Sequence, residues 1–322
     1  SAHYGPGSPK SQRPLPQSPS DSPSQPLRFG GCVGSATYSS TSTFIYLGGS
    51  VETLAKEFGQ AVSNVTVSGR KERHAIDSHT EVRELLEGDA ELCSWGIDTI
   101  LIGSYARQTA RYPGKDVDVF LRFKNLSVHH NPTKIFNAVE RVLVNAYGRK
   151  DRDPSGRVTA QARSLKIDFP DAEDLASDAS LTIDAVPAVP WNENWGIPNR
   201  DRGQWGSDEN RWIKTNPIKF ADHTGALATA SWSPTVTGAN AYRPVVRLLR
   251  QIRHEHLGEG RPGGLFTEIA AYYAWNKRLV RGESYAELLA ETLKQVARRF
   301  EQAATSGLPD PILRTPLKPA LE

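Results

Sequence analysis

Apolar and polar positions in the first half of the chain form a pattern that predicts two strands joined by a turn. Residues 99–102 are a short apolar run, which is typical of a buried strand. Gly103 follows it, and residues 111–114 give a turn signal. From Asp116 onward polar and apolar residues alternate, so Asp116 and Asp118 are predicted to share one face of the second strand.

A second alternating run surrounds Asp184. Apolar and polar positions alternate over residues 181–186, which places Thr182 and Asp184 on one face of a predicted strand and Ile183 on the other. Residues 158–169 also have the pattern of a strand. We expect that strand to pair with the one that carries Asp184.

Helical periodicity predicts most of the remaining chain. One predicted helix begins at Ser50. The other predicted helices span 70–88, 133–147, 240–256, 265–281 and 285–304. Pro132 and Gly148 frame the helix at 133–147, as proline and glycine do at helix starts and ends. Ser284 and Glu287 have the spacing of a capping box at the start of the last helix.

Three aspartates on strands suggest a site for divalent cations. Clustered carboxylates repel one another and raise each other's pKa, and a divalent cation removes that conflict. Mg²⁺ prefers hard oxygen ligands and is usually held by a few carboxylates together with substrate phosphates. Two such ions roughly 3.5–4 Å apart can activate an attacking hydroxyl and stabilise a leaving pyrophosphate. The sequence therefore predicts that Asp116, Asp118 and Asp184 bind two metal ions.

Gly103 and Ser104 predict a phosphate-binding turn next to these carboxylates. Glycine permits a tight turn and a close approach of phosphate to the backbone. If a helix begins at Ser104, its free N–H groups form an anion site, and the serine hydroxyl adds a donor. Arg247 and Arg250 lie on one basic stripe of a predicted helix, and an arginine fork suits phosphate oxygens.

Composition limits the class of protein. The 322 residues suggest one large domain or two modest ones, and 38% hydrophobic residues suffice for a core. A net charge of +3 does not indicate a broad nucleic-acid-binding surface. No run approaches the ~20 apolar residues of a membrane span, and the first residues lack the apolar region of a signal peptide. Two cysteines far apart in sequence fit no zinc spacing and suit a reducing compartment, so we expect a cytoplasmic protein.

Five sequence segments together resemble a known family. GSYARQTA at 103–110, DVDVF at 116–120 and LTIDAVP at 181–187 resemble the nucleotidyltransferase superfamily that includes polymerase β. RPVVRLLR at 243–250 and PGGLFTE at 262–268 favour a narrower group, the bacterial CD-NTases. These are cyclic-oligonucleotide synthases related to cyclic GMP-AMP synthase and oligoadenylate synthetase. The resemblance covers roughly residues 50 to 300.

The resemblance implies an α+β fold with two lobes. A polymerase β-like lobe with a mixed sheet would precede a C-terminal helical lobe, with the active site in the cleft between them. The seven prolines and seven serines of residues 1–28 are too polar to order that segment, so we expect it to be disordered. The expected segments are a disordered start at 1–28, a catalytic lobe with an N-terminal bracing helix at 29–199, a helical lobe at 200–308, and a fraying or surface-packed tail at 309–322.

The resemblance also implies an activity. A CD-NTase joins nucleoside triphosphates, such as ATP, into a cyclic di- or trinucleotide without a template, and its product activates a separate effector in bacterial anti-phage signalling. Two Mg²⁺ ions, for which Mn²⁺ can substitute, would be held by Asp116, Asp118 and Asp184. Gly103 and Ser104 would hold the donor phosphates, with a cation from the helix that carries Arg247 and Arg250. We expect a monomer with no stable nucleic-acid or membrane partner, and with a regulatory protein as a possible partner.

Three other functions share part of this evidence. A transferase with a linear product, such as an oligoadenylate synthetase or a tailing enzyme, would use the same carboxylates. A nucleotide-binding or RNA-sensing protein without turnover is disfavoured, because all three carboxylates are present and the net charge is small. Transfer of a nucleotide to a protein or small molecule is disfavoured by the long helical second lobe.

Overall fold

A computed structural model of the chain describes residues 51–170, 180–258, 260 and 262–317. The segment 1–28, for which we expect disorder, lies outside these residues. Residues 318–322, at the end of the predicted tail, lie outside them as well.

Helices make up much of the described chain. They are α1 (Val51–Val65), α2 (Gly69–Glu87), α3 (Ala90–Ser94), α4 (Gly103–Ala106), α5 (Pro132–Tyr147), α6 (Pro217–Thr229), α7 (Tyr242–Leu257), α8 (Gly264–Asn276) and α9 (Tyr285–Ser306). The capping box predicted at the start of the last helix is confirmed, since Ser284 and Glu287 cap each other's backbone N–H groups. None of these helices, within the described ranges, combines the length and apolar character needed to cross a membrane.

The strands fall into one large sheet and two small hairpins. They are β1 (Ile97–Ile102), β2 (Asp116–Phe123), β3 (Val158–Ala160), β4 (Leu165–Phe169), β5 (Leu181–Trp191), β6 (Asn194–Pro198), β7 (Trp212–Thr215), β8 (Thr235–Val236), β9 (Ala239–Asn240), β10 (Leu308–Pro309) and β11 (Pro316–Leu317). The large sheet has the order β1-β2-β5-β4-β3, and β6 and β7 extend from the end of β5. It is mixed, because β2 runs parallel to β5 while its other neighbour, β1, is antiparallel.

Two hydrophobic cores organise the described residues. The sheet core lies between the sheet and the helices α2 and α5, where Leu86 and Phe136 pack against Leu121 of β2. The helical core lies among α7, α8 and α9, where the rings of Tyr242 and Trp275 meet edge to face with centroids 5.4 Å apart. A sheet lobe followed by a helical lobe is therefore the observed architecture, which confirms the predicted α+β fold class.

Helix α1 packs with the helical core although it comes first in the chain. Its residues Phe58, Val62 and Val65 belong to that core. The Val65 carbonyl also accepts a hydrogen bond from the Tyr112 N–H at 2.9 Å, so the end of α1 contacts the turn that precedes β2. The domain boundaries expected from the sequence stay predictions; the sheet itself reaches Thr215 through β7.

Two sequence-based expectations differ from the structure. The strand predicted over 158–169 is two antiparallel strands, β3 and β4, because the chain turns back at residues 161–164. The helix predicted over 265–281 ends at Asn276. The chain from Pro309, expected to fray or pack on the surface, contributes to a C-terminal hairpin of β10 and β11, Leu308–Leu317.

Candidate active site

The turn after β1 and the first half of β2 are built around each other. Ile102, the last residue of β1, pairs with Asp118 of β2. Gly103 has a φ of +66°, and a Cβ at this position would overlap Oδ2 of Asp118. Only glycine adopts this conformation without strain and leaves room for the carboxylate. The helix that follows, α4, is a single turn.

Parallel pairing of β2 and β5 brings the three aspartates together. Asp118 is in register with Asp184, and Asp116 is in register with Thr182. The Thr182 hydroxyl donates a hydrogen bond of 2.8 Å to Oδ1 of Asp116, which fixes the orientation of that carboxylate. The alternation of side chains predicted from the sequence explains why all three carboxylates are on one face of the sheet.

Burial and mutual repulsion perturb two of these carboxylates. Burial raises the pKa of Asp184 to about 7, and the nearby Asp118 and Asp116 carboxylates contribute to the increase. Burial also raises the pKa of Asp118; the Arg107 guanidinium opposes the shift, and Asp116 adds to it. Oδ1 of Asp184 is buried and has no hydrogen-bond partner. Such an oxygen is costly to bury unless something binds it.

The three aspartates face a large cavity between the sheet lobe and the helical lobe. Its volume is about 1190 Å³. The sheet lobe contributes Asp116, Asp118 and Asp184, together with Gly103 and Ser104. The helical lobe contributes residues of α7 and α8 to the facing wall, and the C-terminal hairpin contributes residues 310–313. A cavity of this size and polarity suits a ligand that has both charged and apolar parts.

A buried ionic cluster connects the two walls. Glu268 on α8 is fully buried and receives hydrogen bonds of 2.7 and 3.0 Å from the Arg107 guanidinium. The Thr109 hydroxyl donates a third hydrogen bond, of 2.9 Å, to the same carboxylate. Arg250 on α7 approaches it to 3.5 Å. We call these four residues the Glu268 cluster.

The Glu268 carboxylate stays charged although it is buried. Burial by itself would raise the pKa of Glu268, but the guanidiniums of Arg107 and Arg250 outweigh burial and hold the pKa below its ordinary value. Arg107 also lies 5.1 Å from the centre of the Phe220 ring on α6. The segment that follows the Gly103–Ser104 turn is therefore fixed to three helices of the helical lobe.

The two arginines predicted to bind phosphate have different positions. Arg250 lines the cavity, is 21% exposed, and donates a hydrogen bond of 3.0 Å to the Thr109 carbonyl. Arg247 does not line the cavity. Its guanidinium donates hydrogen bonds to the Gln108 carbonyl at 2.9 and 3.2 Å and to the Thr66 hydroxyl at 3.2 Å. The structure thus brings Arg250, but not Arg247, to the three carboxylates.

Sequence reasoning missed several residues of this cavity. Thr182 shares a strand face with Asp184, which is the signal that could have placed it beside Asp116. Glu268 lies in a segment used for the family resemblance, but nothing in its local sequence indicates a buried charge. The C-terminal hairpin gave no signal, because a proline-rich tail is usually a surface feature.

The donor set fits divalent cations, although no ready-made shell is present. Within the described ranges, no three aspartate, glutamate, histidine or cysteine side chains surround one point as metal ligands. The Asp116 carboxylate accepts a hydrogen bond from Thr182, and Oδ2 of Asp118 lies against Gly103. The unpartnered Oδ1 of Asp184 and the carboxylates beside it are nevertheless the hard oxygen ligands that Mg²⁺ prefers.

Comparison with known proteins identifies the fold. No protein-family model and no curated protein sequence matches the chain. The CD-NTase CdnG of Bradyrhizobium diazoefficiens, solved in complex with GTP, matches with a TM-score of 0.58 at 14% identity over 84% of each chain. The CdnE cyclic dinucleotide synthase of Elizabethkingia meningoseptica, solved with GTP and Apcpp, has a TM-score of 0.54 at 15% identity, over 77% of this chain and 85% of that one.

A third solved structure includes a partner protein. The CdnC of E. coli MS115-1, in a complex with HORMA-deltaN, has a TM-score of 0.51 at 16% identity, over 80% of this chain and 73% of that one. All three similarities are at low sequence identity and concern the fold. The chain has the fold of the CD-NTases, which confirms the resemblance predicted from its sequence motifs.

Proposed function

We propose that this chain is a template-independent nucleotidyltransferase that joins nucleoside triphosphates into a cyclic di- or trinucleotide and releases pyrophosphate. By analogy with the CD-NTases, the product would act as a second messenger in bacterial anti-phage signalling. The CdnC structure contains a HORMA protein, so our proposal includes a regulatory protein partner. One chain contains all three carboxylates, so the proposal requires only a monomer.

One observation carries this proposal: Asp118 and Asp184 are neighbours in register on parallel strands, beside the Gly103 turn. Three neighbouring carboxylates repel one another, and nearby cations do not offset burial and repulsion at Asp118 and Asp184, whose pKa values are raised. The same cluster is useful when cations and a triphosphate occupy the cavity. The volume of about 1190 Å³ accommodates more than one nucleotide-sized ligand.

Each step of the proposed reaction replaces one phosphorus–oxygen bond with another and releases one pyrophosphate, so a cyclic dinucleotide takes two steps and a cyclic trinucleotide three. The 3′-oxygen of the acceptor attacks the α-phosphorus of the donor, and the bond from that phosphorus to the pyrophosphate oxygen breaks. Asp184 would orient the acceptor hydroxyl and help to remove its proton, as a carboxylate beside that hydroxyl can. Gly103 and Ser104 would hold the β- and γ-phosphates of the donor, with Arg250 on the opposite wall.

Asp116, Asp118 and Asp184 would hold the divalent cations. When bound, such ions supply Lewis-acid activation of the hydroxyl and neutralise the charge that develops on the leaving pyrophosphate. The protein supplies the alignment of the two nucleotides and the exclusion of competing acceptors.

The test is incubation of the purified chain with all four labelled ribonucleoside triphosphates and Mg²⁺ or Mn²⁺, followed by phosphatase treatment and mass spectrometry. We expect a phosphatase-resistant species with the mass of a cyclic di- or trinucleotide. A double variant, Asp116→Ala with Asp118→Ala, is expected to make no product while its circular dichroism spectrum is unchanged. Turnover retained in that variant would overturn the assignment of the site.

Other outcomes identify the alternatives. A ladder of products with phosphatase-sensitive ends indicates a linear-product transferase, and incorporation that requires added RNA indicates a tailing enzyme. Nucleotide binding without any product, with and without candidate protein partners, indicates a nucleotide-binding protein that has no turnover.

A further inference from the structure

The Glu268 cluster lies at the point where the two walls of the cavity meet. Arg107 and Thr109 follow the Gly103–Ser104 turn in the sheet lobe, whereas Glu268 and Arg250 belong to helices of the helical lobe. Arg107 and Glu268 are 161 residues apart in the chain, yet their side chains are joined by two hydrogen bonds. The cluster is therefore a direct link between the turn proposed to bind phosphate and the opposite wall.

The members of the cluster differ in how exposed they are. Glu268 and Thr109 have no exposed surface, and Arg107 is 5% exposed. Arg107, Arg250 and Glu268 all border the cavity, and Arg250, at 21% exposed, is the member with the most surface available to a ligand. Its Nη1 lies 3.0 Å from the Thr109 carbonyl and 3.5 Å from Oε2 of Glu268. Two groups that are themselves buried thus hold the Arg250 guanidinium in place.

We propose that Glu268 is a positioning residue for triphosphate binding, which fixes Arg250 and the Arg107–Thr109 segment so that both face the donor phosphates at the Gly103–Ser104 turn. This inference rests on the proposed function, since it concerns the donor triphosphate of that reaction. Glu268 itself does not contact the substrate in this arrangement. It acts through the arginines that it orients.

A purely electrostatic role and a positioning role for Glu268 predict opposite effects on anion binding when its charge is removed. Glutamate at this position reduces the net positive charge near the phosphates, so a purely electrostatic role predicts that its removal strengthens the binding of an anion. A positioning role predicts weaker binding, because Arg250 would lose one of the two contacts that hold it and would repel the buried Arg107. An arginine that must be immobilised by the ligand binds it less well than one that is already in place. The sign of the effect therefore distinguishes the two roles.

The experiment is calorimetric titration of wild type and Glu268→Gln with two probes in the presence of Mg²⁺. One probe is an ATP analogue with a methylene group between the α- and β-phosphates, and the other is AMP. We expect the variant to bind the triphosphate analogue at least tenfold more weakly and AMP within threefold of wild type, because only the triphosphate reaches the β- and γ-phosphate site. Tighter binding of the analogue, or an equal loss for both probes, would overturn the positioning role.

A second variant distinguishes an effect of Glu268 on stability from its effect on the position of Arg250. Removing one member of a buried ion pair leaves the other charge uncompensated, so Glu268→Gln alone is expected to lower the melting temperature. The double variant Arg107→Gln with Glu268→Gln removes both charges and is expected to regain most of that melting temperature. It is not expected to regain triphosphate affinity or kcat/KM, because Arg250 still lacks its ionic contact with Glu268. Recovery of both properties would show that the cluster is only structural.

A control variant is available elsewhere in the chain. Asp98 accepts two hydrogen bonds of 2.7 Å from Arg122 at the edge of the sheet and does not line the cavity. Asp98→Asn is expected to leave the affinity for both probes unchanged. If wild type neither binds the analogue nor forms product, the proposed function and this inference both fail. If wild type binds the analogue and Glu268→Gln binds it equally well, only this inference fails.

Discussion

Gly103 and Asp118 are so close that Oδ2 of Asp118 occupies the space that a Cβ at Gly103 would need. The turn and the carboxylate come from neighbouring strands, since Ile102 pairs with Asp118. The proposed phosphate site and the proposed metal site are therefore one structural unit. A change at either residue will disturb the other.

The first prediction concerns the substitution Gly103→Ala. The new methyl group must displace the Asp118 carboxylate, and the residue must also adopt a φ of +66°. A displacement of about 1 Å at a reacting group can lower the rate 10²-fold. We expect kcat/KM for nucleoside triphosphates to fall by at least about that factor, with the circular dichroism spectrum preserved.

Gly69→Ala is the matched control for this substitution. Gly69 has a similar φ of +62°, but a Cβ there would meet nothing within 4 Å. It therefore carries the backbone strain without the steric conflict. If both single variants, Gly69→Ala and Gly103→Ala, kept full activity, the proposed coupling of the turn and the Asp118 carboxylate would be contradicted.

The second prediction concerns Asp184 and divalent cations. Replacing Asp184 with asparagine removes one of three mutually repelling groups, so the variant in EDTA is expected to be more stable than wild type by about 1–2 kcal/mol, or a few degrees in melting temperature. Added Mg²⁺ is expected to raise the melting temperature of wild type and to have little effect on Asp184→Asn. An equal Mg²⁺ response in both proteins, measured by thermal denaturation, would exclude Asp184 as a ligand.

The third prediction separates the two arginines that the sequence suggested together. Arg250 lines the cavity, whereas Arg247 bonds to the Gln108 carbonyl and the Thr66 hydroxyl. Arg250→Ala is expected to raise KM for nucleoside triphosphates roughly tenfold or more, as the loss of a charge-assisted hydrogen bond of about 1.5–3 kcal/mol implies. Arg247→Ala is expected to lower the melting temperature with KM nearly unchanged. The reverse pattern would place the phosphates on the Arg247 side of α7.

The fourth prediction concerns the pH dependence of stability. The pKa of Glu268 is lower in the folded protein than its ordinary value of 4.5, because Arg107 and Arg250 outweigh the effect of burial. The ionised Glu268 carboxylate therefore stabilises the folded protein fully at pH values above 4.5. This stabilisation is lost as the pH falls, because the unfolded chain then binds a proton that the folded chain does not. Between pH 6 and pH 4, the difference in free energy of unfolding between wild type and Glu268→Gln is expected to shrink by roughly 1 kcal/mol. Chemical denaturation at several pH values measures this difference in the free energy of unfolding. A difference that does not change with pH would contradict a charged Glu268.

Local patterns were enough to predict the parts of the site that lie on strands. Alternation placed Asp116 and Asp118 on one face of β2 and Asp184 on the matching face of another strand, because the side-chain period of a strand is fixed. Gly103 identified the turn after β1 because glycine permits a tight turn, which is also a local property of the chain. The roles assigned to these residues stay predictions.

Contacts between elements that are distant in the chain could not be predicted from the sequence. Arginines 247 and 250 share a helical stripe, and only the approach of α7 to the Gln108–Thr109 segment decides which one reaches the cavity. Glu268 had an ordinary helical sequence context, and its burial depends on Arg107 of the other lobe. The C-terminal hairpin depends on the pairing of β10 with β11, which composition does not show.

The pairing that brings the carboxylates together also has a consequence for the order of folding. Asp116 and Thr182 are 66 residues apart in the chain, and Arg107 and Glu268 are 161 apart. Contacts of long sequence separation form late, because their loop-closure entropy must be offset by earlier structure. During synthesis, a chain that has not yet reached β5 contains two of the three carboxylates and no cavity. The ability to bind nucleotide should therefore be acquired only after α8 has emerged and docked, which makes it a sensitive reporter of complete folding.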